Sequence, residues 1–254
     1  RNTAVALQRR LLPQRLPQQS TMEVTGRYLP SDGQVGVGGD WYDVIPLSGA
    51  RVALVVGDVV GHGVEAAAAM GRLRTAVRTL ADTELPPDEL LTHLDDLVTR
   101  PFAPDSALDE EAVRDAGTTC LYAVYDPVMG RCTMARAGHP EPVLVRPDGS
   151  AELVDVPAGP PLGLGNQPFE TRELDLAPGS LLALYTNGLV ERRGQDMDHG
   201  IARLLEAFPE PTVSLEQTCD TVVHTLLPGR SEDDTALLLA RTRALAANHV
   251  ATWD

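Results

Sequence analysis

The chain has 254 residues, with 36 acidic side chains against 21 basic ones and a formal charge of −15. Every one of those basic residues is an arginine, and the absence of lysine excludes a P-loop that needs its Lys, a kinase that sets a strand Lys against ATP, and Schiff-base chemistry. The acidic balance argues against nucleic acid or an anionic membrane, which are gripped by clustered positive charge, and favours cations or a basic partner.

From the N-terminus, residues 4–16 place Val5, Leu7, Leu11 and Leu12 near helical spacing until Pro13 interrupts, and predict a short amphipathic linker helix within residues 1–20. Met22 to Leu29 alternates as a strand, and Arg51 to Val60 is a β-branched run that reads as a buried strand. The turn Gly61-His62-Gly63 opens an Ala-rich helix from Val64 to Leu80, Pro86-Pro87 breaks it, and Asp88 caps a second helix through about Val98. Residues 101–117 are acidic and loop-like. Short strands then follow at Thr118–Tyr125, Cys132–Ala137, Pro142–Val145, Glu173–Leu176 and Leu181–Thr186, separated by Pro- and Gly-containing turns. Ile201–Phe208 and Leu215–Leu227 read as helices, Thr235–Arg241 as a closing strand, and 244–254 as a tail. With no internal repeat or long linker, residues 21–243 are expected to pack as one layered α/β body.

With 43% apolar but only 4% aromatic residues, the core must rest on Val, Leu, Ala and Ile. No apolar run reaches the roughly 18–20 residues of a membrane span, and the first residues lack a signal-peptide pattern, so a cytoplasmic protein without membrane insertion is expected. The start at Arg1 suggests a piece of a longer protein. Cys120, Cys132 and Cys219 have no CxxC spacing and read as small buried residues. A cysteine phosphatase loop is absent: Asp126, Gly138 and Thr225 stand where its arginine would follow each cysteine.

Several acids fall at strand ends or turns. Asp40 lies in Gly38-Gly39-Asp40-Trp41-Tyr42-Asp43, Asp58 ends the buried strand, and Asp233 and Asp234 precede the last one. A carboxylate directly after an apolar run is costly to bury unless something pairs with it, and no Arg adjoins Asp58. A divalent cation is the natural partner. Hard oxygen ligands with few histidines favour Mg²⁺ or Mn²⁺ over Zn²⁺. His62, in the turn beside Asp58, is a candidate acid toward a leaving oxygen, although a turn histidine more often packs or hydrogen-bonds locally. His139 reads as structural, and Trp41 and Tyr42 as wall and core.

The constellation resembles the metal-dependent PPM-type serine/threonine phosphatases, in particular their bacterial SpoIIE/RsbU-like branch. The segments that carry the resemblance are Leu7 to Pro13, Gly38 to Asp43, Gly57 to Gly63, Ala137-Gly138-His139-Pro140, Pro161-Leu162-Gly163, Tyr185 to Glu191 and Asp233 to Ala236. The resemblance implies a β-sandwich of two mainly antiparallel sheets flanked by helices, with two Mg²⁺ or Mn²⁺ ions in a cleft at one end. By motif position Asp58 would bridge both ions, the Val59 carbonyl would bind the first and Asp40 would support it, while Asp233, with Asp234 beside it, would hold the second. The implied reaction is hydrolysis of phosphoserine or phosphothreonine, with a phosphorylated anti-sigma-factor antagonist as substrate, an upstream sensor domain as partner, and room for a homodimer. Where the family has an aspartate on the second metal, this chain has Asn187, whose amide oxygen brings no formal charge. Two readings therefore stand side by side: an active phosphatase, and a phosphatase-fold binding module with a weakened second site.

Overall fold

The computed structural model describes residues 12–13, 15–17, 20–31, 38–59, 61, 63–99, 117–164, 168–192, 194–229 and 233–244. In chain order the strands are β1 (Met22–Leu29), β2 (Trp41–Pro46), β3 (Val52–Asp58), β4 (Thr119–Asp126), β5 (Arg131–Ala137), β6 (Val143–Val145), β7 (Ala151–Leu153), β8 (Arg172–Asp175), β9 (Leu181–Tyr185) and β10 (Thr235–Thr242). The helices are α1 (Val64–Ala81), α2 (Pro87–Thr99), α3 (Met197–Glu206) and α4 (Leu215–Leu226). Two five-stranded sheets form, one ordered β1-β10-β9-β6-β7 and the other β2-β3-β4-β5-β8, and every pairing between their strands is antiparallel. This is the sandwich that the sequence motifs imply.

Strand alternation explains the layers. Val52, Leu54 and Val56 of β3 face inward to meet Leu182, Leu184, Leu238 and Ala240 of the opposite sheet, while Ala53 and Val55 point outward to α1 and α2. On the other sheet, Leu237 and Leu239 of β10 face outward to Leu204 of α3 and to Leu215, Cys219 and Val222 of α4. Strands covered on both faces read as continuous apolar runs, which is why β3 has no polar residue before Asp58. Burying each such Leu or Val contributes roughly 1.5–3 kcal/mol. The three cysteines are buried small residues, as expected.

Two strands escape the sequence reading. Asp43 interrupts the apolar run of β2, and β7 has only three residues. Helix α2 begins at Pro87, which places Asp88 inside its first turn instead of at the cap. Helix α3 starts at Met197, earlier than Ile201, because the Asp196 side chain accepts the Asp198 N–H. Most of the segment expected as a linker helix over 4–16 lies outside the described residues; those described, Leu12, Pro13, Arg15 and Leu16, are not helical, and Leu12 is buried in the α1/α2 core. The acidic stretch 101–116 and the tail beyond Ala244 also lie outside. No helix among the described residues is long and apolar enough to cross a membrane.

Candidate metal centre

Antiparallel pairing brings the starts of β2, β4 and β10 and the ends of β3, β5 and β9 to one end of the sandwich. Asp40 stands immediately before β2, Asp58 closes β3, Asp233 and Asp234 precede β10, and Thr186 and Asn187 follow β9. One hydroxyl ties the sheets together here. Thr186 Oγ1 donates to Asp40 Oδ2 at 2.6 Å and accepts the Ala236 N–H at 2.9 Å. Neither the sequence motif nor the apolar pattern singles out Thr186, because a threonine at a strand end is ordinary.

Asp40 is 5% exposed, and among the described residues no arginine pairs with it or with Asp58. Burial first, then the charge of Asp58 and a hydrogen bond with it, hold the Asp40 carboxyl well above the ordinary carboxylate value, while the Thr186 hydroxyl pulls the other way. Asp58 is also raised by burial and by the charges of Asp233 and Asp234, and is lowered by its hydrogen bond from Asp40. The two carboxyls titrate as a coupled pair, each held above its ordinary value by burial and by neighbouring charge. Asp234 is raised by burial, against the pull of the Ser31 N–H at 2.7 Å and of Tyr28. Asp233 accepts the Asp234 N–H at 2.9 Å.

The surroundings fit a hard divalent cation. Space beside the carboxylates is kept by glycine: a Cβ on Gly38 would lie 1.3 Å from Asp234 Oδ2, and one on Gly39 would lie 1.8 Å from the Val59 carbonyl oxygen. No three acidic, histidine or cysteine side chains among the described residues converge as a ready-made cage. The donors gathered at this end, Asp40, Asp58, Asp233 and Asp234, are oxygen alone, the ligand chemistry of Mg²⁺ or Mn²⁺.

The other anticipated residues distribute as follows. The Asn187 carbonyl accepts the N–H groups of Val190 and Glu191 and opens a 3₁₀ turn, Asn187–Leu189, with its half-buried side chain at the same end as Asp40 and Asp58. Val59 is buried and its N–H donates to the Gly39 carbonyl at 3.2 Å. His62 lies outside the described residues. Trp41 and Tyr42 are buried, on the helix side and between the sheets respectively. His139 is 2% exposed, with Nε2 2.8 Å from the Tyr185 carbonyl oxygen and Nδ1 2.9 Å from Thr119 Oγ1. Burial, aided by the charge of Arg136, pushes its pKa down to about 4 against the pull of the Tyr185 carbonyl, so the ring is neutral near pH 7.

The helix-flanked sandwich with acids at one end is the fold of the PP2C-type phosphatase domains. Superposition on the RsbU and RsbW domains of a Mycobacterium tuberculosis protein gives a TM-score of 0.78 at 31% identity, covering 93% of this chain and 64% of that one. RsbX in complex with magnesium gives 0.66 at 15% identity, covering 90% and 98%. The family described as Stage II sporulation protein E matches residues 48–243, and the chain belongs to this SpoIIE family, in its RsbU-like branch. Among curated proteins, the phosphoserine phosphatase RsbU of Bacillus subtilis is 24% identical over 196 residues, 76% of this chain and 54% of that protein. The chain spans between about a third and a little over half of the curated relatives it matches.

Proposed function

We propose that this chain is a Mg²⁺- or Mn²⁺-dependent phosphoserine/phosphothreonine protein phosphatase. The observation that carries the reading is the Asp40–Asp58 pair, buried and half-buried respectively, which no arginine among the described residues meets, at the end of a PP2C-type sandwich. Asp58 and the Val59 carbonyl, with Asp40 in support, would hold a first ion, and Asp233, Asp234 and Asn187 would hold a second. When bound, such ions supply an activated water and offset charge on the phosphoryl oxygens, the main demands of this transfer.

The chain's own residues do the positioning. Thr186 donates to Asp40 Oδ2 and so fixes the orientation of that carboxylate. Asp58 at the lip of β3 is half-buried where Asp40 is buried, and Asp233 is exposed, so the acidic end of the sandwich opens to solvent. The apolar layer between the sheets lies beneath this end.

By family membership, the substrate we propose is a phosphorylated anti-sigma-factor antagonist of a partner-switching pathway, and the chain is the cytoplasmic output domain of a protein whose upstream domain senses the signal. The decisive experiment is phosphate release from a phosphoserine protein with and without Mn²⁺. Asp58→Ala is expected to lower the metal-dependent rate at least a hundredfold; full activity in that variant would reject the assignment. A second reading rests on Asn187, which brings an uncharged ligand where the second ion would sit. Turnover by Asn187→Asp but not by the parent would make the natural chain a phosphatase-fold binding module, and turnover by both makes the amide a tolerated ligand.

A further inference from the structure

We infer that His139 is a positioning residue for the carboxylate pair: one imidazole fixes both the peptide that aims Thr186 at Asp40 and the strand that faces Asp58. The inference rests on the metal-site reading above and concerns residues outside the proposed ligand set.

The backbone explains why a histidine is needed. The Thr186 N–H donates to the Ala236 carbonyl at 3.0 Å, so residue 186 directs its backbone groups toward β10. Strand alternation then turns the backbone groups of Tyr185 to the opposite side, toward β6. There the ladder has already stopped: β6 pairs with β9 only over Val143↔Ala183, Leu144↔Leu182 and Val145↔Leu181. The Tyr185 carbonyl would be a buried acceptor without a partner, a costly state. His139 Nε2 supplies the missing donor at 2.8 Å.

The two ends of the peptide between Tyr185 and Thr186 are therefore held by different elements, the carbonyl by His139 and the N–H by β10. With that plane fixed, Thr186 Oγ1 sits between the Ala236 N–H and Asp40 Oδ2.

The other ring nitrogen completes the argument. A carbonyl can only accept, so Nε2 carries the proton and Nδ1 is bare; Nδ1 then accepts from the Thr119 hydroxyl at 2.9 Å. Thr119 is the residue directly opposite Asp58 in the β3–β4 ladder. The imidazole thus links the first sheet at Tyr185, which precedes the residue that bonds Asp40, to the second at Thr119, which faces Asp58 across the ladder. Its own placement is secured by Gly138, which has a φ of +61° and whose N–H donates to the Gly159 carbonyl at 2.8 Å. A Cβ at that glycine would lie 2.7 Å from the Pro161 ring, so no other residue delivers the histidine in this way.

A space-filling role and a positioning role separate in three variants. His139→Phe keeps the volume but loses both hydrogen bonds, Thr119→Val removes only the Nδ1 contact, and His139→Gln retains an N–H donor for the Tyr185 carbonyl. Mn²⁺ affinity is measured by isothermal titration calorimetry, with thermal melts of the metal-free proteins alongside. The expected result is a Kd raised at least tenfold in His139→Phe and at least threefold in Thr119→Val, with His139→Gln closer to the parent than His139→Phe. Binding within twofold of the parent in Thr119→Val and in folded His139→Phe would overturn the inference. Should His139→Phe fail to fold, Thr119→Val decides alone. A parent protein that takes up no Mn²⁺ overturns the metal reading, and this inference with it; a parent that binds beside unaffected variants overturns the positioning role only.

Discussion

At the scale of single residues, the acids and the groups that aim them differ in how visible they are. Asp40, Asp58 and Asp234 stand out in the sequence because a carboxylate at the end of an apolar strand demands a partner. Thr186 and Thr119 do not, since their importance lies in which neighbour their hydroxyl meets across the gap between sheets, and β-branched residues are common in any strand. Glycine is visible as a residue but not as a cradle. Gly39 leaves room for the Val59 carbonyl, and Gly39→Ala would force that oxygen aside. We expect this variant to remain folded, because the change lies in a connection and not in a layer, and to lose at least tenfold in Mn²⁺ affinity by calorimetry. His139 makes a second residue-scale prediction. Its pKa is about 4 in the folded protein against 6.5 as the reference value, so the unfolded chain takes up the proton first. Its contribution to stability is then complete above about pH 6.5 and is lost as pH falls toward 4, by about 3 kcal/mol in all. Urea titrations at pH 7 and pH 4.5 should show a smaller acid loss in His139→Gln than in the parent; equal losses would contradict the assignment.

At the scale of elements, β2 shows why a strand can hide. Its sequence Trp41-Tyr42-Asp43-Val44-Ile45-Pro46 carries a charge in the middle of an apolar run, which argues against a buried strand until the partner from elsewhere in the chain is known. That partner is α1. Asp43 is fully buried and accepts from Arg74 Nε at 2.9 Å, from Arg78 Nε and Nη2 at 2.5 and 2.7 Å, and from the Val44 N–H at 3.0 Å. The helix and the strand that begins beside Asp40 are thereby pinned as one unit. Replacing Asp43 with alanine removes the buried carboxylate that Arg74 and Arg78 share, although the Arg78 side chain, 46% exposed, can turn to solvent. The expected loss is about 2–4 kcal/mol, below the upper range for a wholly buried pair because of that exposure. Asp43→Asn, which keeps an acceptor for Val44, should lose less. Equilibrium urea unfolding measures both, and a change below about 1 kcal/mol in Asp43→Ala would show that the pin is dispensable. Helices α1 and α4 were legible from helix formers and apolar spacing alone, because neither depends on a buried charge for its pattern.

At the scale of the molecule, the charge of −15 divides into acids that solvent screens and a few that the fold has withdrawn from it. The withdrawn group works against folding when no cation is present: Asp40, Asp58 and Asp234 are all raised, so the folded state gives up their protons less readily than the unfolded chain. Their effect has the opposite sign to that of His139. Stability associated with these protons is present in acid and is lost as pH rises through the raised folded values. A divalent cation reverses this by preferring the deprotonated carboxylates, so binding should release protons and raise the melting temperature. At a Mn²⁺ concentration one hundred times Kd, linkage adds about 2.7 kcal/mol, or roughly 5–10 °C for a domain of this size. We expect that increment at pH 7.5 and its steady decline as the pH is lowered, because protons compete for the same oxygens. Asp58→Asn removes one charge from the cluster, and its metal-free form should melt no lower than the parent while its Mn²⁺ increment is largely lost. Differential scanning fluorimetry across pH with and without Mn²⁺ reads all of these quantities together. An increment that survives intact in Asp58→Asn would place the cation elsewhere, and a metal-free variant that melts well below the parent would mean that Asp58 serves the fold more than the site.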